Sequence, residues 1–314
     1  IYFNTFIENN VLTAGGADGV YANGTAGSLT ITGNRIGGNA RSGVRMENAF
    51  NFKGFVPVVA NNTIGLDAAG NAAQPNAGQG IIFLGGSASA INNTIGGNGF
   101  YGVVVTGAAA GTTITGNRIG VGTDGTTAIG NGQSGVFVLG GAIGTKITGN
   151  TIRNNNGMAG IQVVDGTGNT TIGGSGSSAN LLVNNGLFGI TVSGDVSGSR
   201  VLGNLVSSHT TANIYLNNAR NLAIGSATAG EENTFETADY GVYAGGNLSG
   251  TTIEGNTFQQ HSLGGMVLTG AEGLSVIDNT VDDNGAYGIY GTGNLTGTTV
   301  QGNTISNQTV GVLI

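Results

Sequence analysis

Two histidines are the only side chains in this 314-residue sequence that titrate near neutrality. Both fall in one register of a repeat. Counting five residues on from a recurring asparagine gives Asn9, Asn39, Asp67, Asn98, Asn155, Asn185, His209, His261, Asn284 and Gln308. A histidine pair suggests catalysis or metal binding. These two, however, are two turns apart, about 10 Å at the usual strand spacing and too far to share an ion. Each therefore reads as a replacement for asparagine in a polar turn ladder. The second candidate is acidic: Glu231, Glu232, Glu236, Asp239, Glu254, Asp278, Asp282 and Asp283. Glu236 and Asp282 share an outward register with Gln259 between them, and hard oxygen ligands suit Ca²⁺. Glu236, Asp282 and Asp283 are thus a weak Ca²⁺ candidate. Carbohydrate-cleaving sites need convergent carboxylates, often with a cation nearby. Residues 221–314 hold nine acids and no Lys or Arg, so the patch reads as a solvated face. No catalytic residue and no other cofactor is assigned.

These residues are positioned by a frame asparagine, followed two places later by an aliphatic or Phe side chain. It recurs at Asn4, Asn34, Asn62, Asn93, Asn117, Asn150, Asn180, Asn204, Asn233, Asn256, Asn279 and Asn303. A period of this size marks a stacked architecture. A Gly-aliphatic pair usually follows nine residues later, as at Gly43-Val44, Gly102-Val103 and Gly265-Met266. A third short run, such as Thr112 to Thr115, precedes each frame asparagine. Each turn thus holds three strand-like pieces of alternating character, paired in parallel with their counterparts one turn on. Ile36, Ile64, Ile95, Ile119, Ile152, Val206 and Ile305 should line the core, with the frame amides inward and pairing along the stack.

The outward position two residues after the turn glycine reads Tyr21, Arg45, Ile82, Val104, Phe137, Gln162, Thr191, Tyr215, Tyr243, Val267, Tyr290 and Leu313. Outward strand positions should be polar, yet nine of these twelve are apolar or aromatic. An exposed apolar stripe marks a contact surface, although cross-strand pairing that only stiffens the sheet would also explain it. Tyr21, Phe137, Tyr215, Tyr243 and Tyr290 are contact candidates for a sugar or a partner. Phe50, Phe52 and Phe55 join them from an insert spanning Glu47 to Pro57, near Arg41 and Arg45. A matching threonine row (Thr5, Thr63, Thr94, Thr151, Thr234, Thr257, Thr280 and Thr304) raises ice binding. The Thr-x-Thr pairs that would favour it are missing, because the second positions hold residues such as Gly65, Arg153 and Glu236.

Composition agrees with an elongated, repetitive chain. There are 63 Gly, two Pro and no Cys or Trp, and 8% of residues are charged, against about 25% in ordinary domains. Regularly placed Ile, Val and Thr still supply a core, so the chain should fold. The net charge of −7, with all nine basic residues before position 221, argues against a nucleic-acid partner. No apolar run reaches the 18 residues of a membrane span. The absence of cysteine fits a secreted or surface protein.

The Gly-Asn-x-Ile frames (Gly33 to Ile36, Gly116 to Ile119, Gly149 to Ile152), the Ile172-Gly173-Gly174 corner and the insert Ile-Gly-x₄-Gly-x₅-Asn (Ile64 to Asn76, Ile119 to Asn131) carry a resemblance. On these the chain resembles the right-handed parallel β-helix proteins of the pectate-lyase-like superfamily. It is most similar to the Gly/Asn-rich repeats of large bacterial surface and secreted proteins. The resemblance implies an all-β solenoid of about 11–12 coils of 23–33 residues with three short parallel sheets, uncapped at both ends. It implies one continuous domain over residues 1–314, a segment of something longer or a unit stacking head to tail. The same fold carries lyases, hydrolases, adhesins and spacers, and the polygalacturonase-type set of Asn-Thr-Asp, Gly-His-Gly and Arg-x-Lys is absent. The expectation is a non-enzymatic extracellular or cell-surface β-helix, a stalk, adhesin or surface-layer element. It would contact a polysaccharide or surface protein through the Tyr/Val row, with head-to-tail or lateral self-association. The alternative is a polysaccharide lyase, hydrolase or carbohydrate-binding module.

Overall fold

The computed structural model describes residues 4–24, 28–49 and 56–314. Each β-branched run becomes a short strand, and each Gly or Asn cluster becomes the corner that turns the chain. The strands stack into three parallel ladders, giving a solenoid of about 12 turns. Sheet one follows the frame asparagine and runs from Val11–Thr13 to Thr304–Ser306 as a 12-stranded ladder. Sheet two follows the turn glycine, from Val20–Asn23 to Val310–Leu313. Sheet three precedes the frame asparagine, from Asn4–Glu8 to Thr299–Gln301. Sheets two and three merge into one 22-stranded sheet, because the long strands Phe188–Leu202 and Ala212–Ile224 stay extended around the corner between them. The expected separation into three sheets holds only where that corner is a turn.

The interior is a set of axial stripes. Ile36, Ile64, Ile95, Ile119 and Ile152 stand in register, all without exposure, and the stripe continues through Leu182 and Val206 to the stacked rings of Phe235 and Phe258, 4.9 Å apart. Ile305 is partly buried against the same core. Beside this stripe runs the frame ladder. Asn10, Asn34, Asn62, Asn93, Asn117, Asn150, Asn180, Asn204, Asn233, Asn256, Asn279 and Asn303 form one unbroken chain of amides. The backbone N–H and side-chain Nδ2 of each both donate to the Oδ1 of the next, at 2.8–3.1 Å. The remaining Nδ2 hydrogen goes to a carbonyl of sheet three, as from Asn117 to Ala90 O at 2.8 Å. Every polar atom of the buried amide is thereby paired, which is the condition for burying it.

The first frame asparagine is Asn10, not Asn4. Asn4 and Thr5 lie in sheet three, paired with Ser28 and Leu29, and Asn9 is an exposed corner residue in the left-handed region. Asn4-x-Phe6 imitates the frame, but Leu12, not Phe6, stands opposite Ile36. Asp67 likewise leaves the turn ladder. It lies in an exposed insert, where its Oδ1 accepts the N–H groups of Asn71 and Ala72, and the ladder resumes at Asn76. Asn131 closes the second insert in the same way. The two inserts stack across the intervening turn, with Thr123 N–H donating to Gly70 O at 2.8 Å.

This second ladder is built of Asn39, Asn76, Asn98, Asn131, Asn155, Asn185, His209, His261 and Asn284, and both histidines are members as expected. It also explains the turn glycines. A Cβ at Gly102 would stand 3.1 Å from Asn131 Nδ2 and 2.6 Å from Gly135 O, so the next turn leaves no room for a side chain. The exception is instructive. At one turn the ladder position is Ala238, and there the preceding turn carries Asn213 where its neighbours carry glycine. The Asn213 amide fills the vacated space, with Oδ1 3.1 Å from His209 Nδ1 and Nδ2 3.0 Å from His261 Nε2. An amide has moved from one position to the other across the stack.

Two predictions test these ladders by chemical denaturation. Asn117→Ala removes the acceptor for two buried donors of Asn93 and the donor to Ala90 O. Each buried orphan costs roughly 1–3 kcal/mol, so the loss should exceed about 2 kcal/mol. Ala238→Asn and Asn213→Gly should each destabilise the protein, and the double variant should recover most of the loss, a coupling of about 1 kcal/mol or more. Additive losses would contradict the exchange.

Candidate binding face

The outer face of sheet two gathers the aromatic side chains. Its row stands in one register from Tyr21 through Arg45, Ile82, Val104, Phe137, Gln162, Thr191, Tyr215, Tyr243, Val267 and Tyr290 to Leu313. The members differ in exposure. Tyr21 is 55% exposed, whereas Ile82, Val104, Thr191 and Val267 are covered. Phe137, Tyr215, Tyr243 and Tyr290 are half-buried.

A second line, just before the turn glycine, thickens the row in a way that counting from the glycine did not reveal. Tyr101 stacks on Phe137 with ring centres 4.9 Å apart, and Phe188 stacks on Tyr215 at 4.8 Å. Tyr215 leans on Tyr243 at 5.9 Å, Tyr240 on Tyr243 at 6.0 Å and Tyr287 on Tyr290 at 5.1 Å, all tilted. Rings stacked between turns spend their faces on one another and offer edges outward. The tilted tyrosines leave more of their faces and hydroxyls free. Beside them Phe100, Met158, Leu187 and Leu263 are each about half exposed, so the face is apolar over much of its length.

At the N-terminal end the face becomes charged. A groove of about 320 Å³ is lined by Ala17, Asp18, Tyr21, Arg41, Arg45 and Glu47. A second, of about 310 Å³, shares Asp18, Arg41 and Arg45 and reaches Gln79 and Phe100. Tyr21 Oη donates to Glu47 Oε2 at 2.9 Å, Arg45 Nε donates to Glu47 Oε1 at 2.7 Å, and Asn23 Nδ2 donates to Tyr21 Oη at 3.2 Å. The Arg45 hydrogen bond, helped by that from Tyr21, lowers the Glu47 pKa and keeps the group ionised. Asp18 accepts the Ser42 N–H at 2.8 Å. This grouping was only partly readable in the sequence, because Asp18 and Glu47 come to line one groove through turns stacked in space. Phe50, Phe52 and Phe55 lie outside the described residues, whereas Glu47 and Asn48 still belong to the strand Val44–Ala49.

The acidic candidates sit on sheet one. Glu236, Gln259 and Asp282 are in register, with Gln259 Nε2 donating to Glu236 at 3.1 Å. Asp282 accepts hydrogen bonds from Ser306 Oγ and Asn307 Nδ2, which lower its pKa, and Asp283 is exposed at a left-handed corner. Among the described residues no three His, Cys, Asp or Glu side chains converge as metal ligands. No helix among them is long and apolar enough to cross a membrane.

Comparison with solved structures finds the same architecture in proteins of very different sequence. The chain is similar to the Dettilon tailspike protein, at 14% identity and a TM-score of 0.61, over 98% of this chain and 61% of that one. It thus spans less than two thirds of the tailspike's length. It is similar to the periplasmic alginate epimerase AlgG at 13% identity and a TM-score of 0.55, over 93% of this chain and 74% of that one. The A-module of the Azotobacter vinelandii mannuronan C-5 epimerase AlgE6 matches at 12% identity and a TM-score of 0.55, over 91% and 89%. At such identities the likeness is one of fold. No curated protein matches the chain. The family described as the right-handed beta helix region matches residues 1–119 and 189–314, well over half of the sequence, and the chain belongs to that family.

Proposed function

We propose that this protein is an extracellular, structural β-helix that binds an extended glycan along the outer face of sheet two. The observation that carries this reading is the concentration of aromatic and apolar side chains on that face, in one axial register and continuous with a polar groove. A rigid solenoid repeats contact positions at the strand spacing, about 4.8 Å, so successive side chains can engage successive units of a polymer lying along the axis. Tyrosine suits such contacts because it offers an apolar ring and a hydroxyl with few rotors to immobilise. The fold neighbours lend support, since their names refer to a tailspike and to alginate epimerases. Within this reading, residues 1–314 act as one continuous β-helix domain serving as a stalk or surface-layer element.

The groove of Asp18, Tyr21, Arg41, Arg45 and Glu47 favours a second reading, that of a polysaccharide-active enzyme. It is a concavity in which acids, arginines and a tyrosine meet.

A glycan panel with a calorimetric readout tests the first reading. Tyr215→Ala with Tyr243→Ala should weaken binding of any ligand found by about tenfold or more, with the thermal transition still cooperative. Unchanged affinity would refute the assignment of this face. Product analysis on the same panel addresses the second reading, which requires turnover that Glu47→Gln abolishes.

A further inference from the structure

The buried imidazoles have a directional constraint that the amides around them lack. Running along the stack, Asn185 Nδ2 lies 3.4 Å from His209 Nε2, His209 Nδ1 lies 3.1 Å from Asn213 Oδ1, Asn213 Nδ2 lies 3.0 Å from His261 Nε2, and His261 Nδ1 lies 2.7 Å from Asn284 Oδ1. Amide nitrogens only donate and amide oxygens only accept, so these partners assign each proton. Both rings are neutral, with hydrogen on Nδ1 and a lone pair on Nε2. In that form an imidazole copies an asparagine, accepting from the preceding amide of the relay and donating to the next.

A second proton destroys the copy. It would sit on Nε2 and point at the NH₂ groups of Asn185 and Asn213, donor against donor. The rings are only 3% and 2% exposed, so water cannot take the displaced bonds. The titratable groups of the surrounding turns include Arg200, Tyr215, Arg220, Glu231, Glu232, Glu236, Asp239, Tyr240, Tyr243, Glu254, Asp278, Asp282 and Asp283, and none contributes to the proton affinity of either ring, which is set by burial and by the hydrogen bonds to Asn213 and Asn284. Their carboxylates are engaged elsewhere or exposed: Glu236 with Gln259, Asp239 with Ser262, Asp282 with Ser306.

We propose that the His209–Asn213–His261 relay is an acid-sensitive joint, and that protonating its rings opens the solenoid locally between residues 205 and 265 while the all-asparagine turns before it stay closed. Burial lowers both imidazoles from 6.5 to about 4. The unfolded or opened segment therefore binds protons more readily than the closed one. The stabilisation is complete above pH of about 6.5, declines as pH falls toward 4, and changes no further below that.

Hydrogen exchange read by mass spectrometry at pH 7 and pH 5, corrected for intrinsic rates, tests the joint. Peptides from 205–265 should open more at pH 5 than at pH 7, by about 20-fold for each imidazole released, while peptides from 34–155 stay unchanged. His209→Asn with His261→Asn restores an all-amide ladder and should remove the pH response. An equal rise in both regions, or a response retained in the variant, overturns the proposal. The ring resonances of the two histidines give a test independent of any variant. Neither should titrate with a midpoint near 6.5 in the closed protein, and such a midpoint would overturn the joint.

Discussion

The structure depends on burying asparagine at no net loss of hydrogen bonding. An interior amide with an unmet donor or acceptor costs on the order of 1–3 kcal/mol, and twelve unpaired amides would leave no fold. Stacking resolves this, because each Oδ1 receives the backbone and side-chain N–H groups of the turn before, and each remaining Nδ2 hydrogen finds a carbonyl. The pairing works only when consecutive turns carry the same amide in the same place. That requirement fixes the register of every ladder, and it lets the turn length vary between 23 and 33 residues without moving the asparagine. Insertions are tolerated in the corners because the next amide re-establishes the phase, as Asn76 and Asn131 do.

The same constraint divides labour between the faces. The interior is committed to amides and aliphatic stripes, so chemical variety is left to the outward rows. On sheet one these hold threonines and carboxylates, with Glu236 bonded to Gln259 and Asp282 to Ser306. On sheet two they hold aromatic rings, half-buried against their neighbours, ending in the charged groove around Arg45. A face of this kind is rigid, and its contact groups are ordered before a ligand arrives, which lowers the entropy lost on binding.

Much of this was legible in the sequence, for a physical reason: a register enforced by buried amides must be written as a spacing. The frame asparagines from Asn34 onward, the core isoleucines, the ladder histidines and the register of the sheet-two row could all be counted. Counting failed where local resemblance outweighed pairing. Asn4-x-Phe6 has the look of the frame but belongs to sheet three, and Asp67 sits five residues on from Asn62 yet caps an insert. It also failed where two substitutions compensate across turns. Asn213 occupies a glycine position because Ala238 vacates an amide position in the next turn, and neither departure makes sense alone. Ring stacking, as between Phe188 and Tyr215, and the groove lined by both Asp18 and Glu47 depend on side-chain directions and on positions outside the counted register, which a spacing does not record.

The most direct test of the central claim is hydrogen exchange of the asparagine side-chain amides, followed by NMR on ¹⁵N-asparagine-labelled protein. If the frame amides hold the solenoid together, the Nδ2 hydrogens of Asn62, Asn93, Asn117, Asn150 and their ladder neighbours should exchange only through global opening, as slowly as the slowest backbone amides. Corner asparagines such as Asn61 and Asn92 should exchange at solvent rates. Frame amides that exchanged as fast as those at the corners would contradict the account.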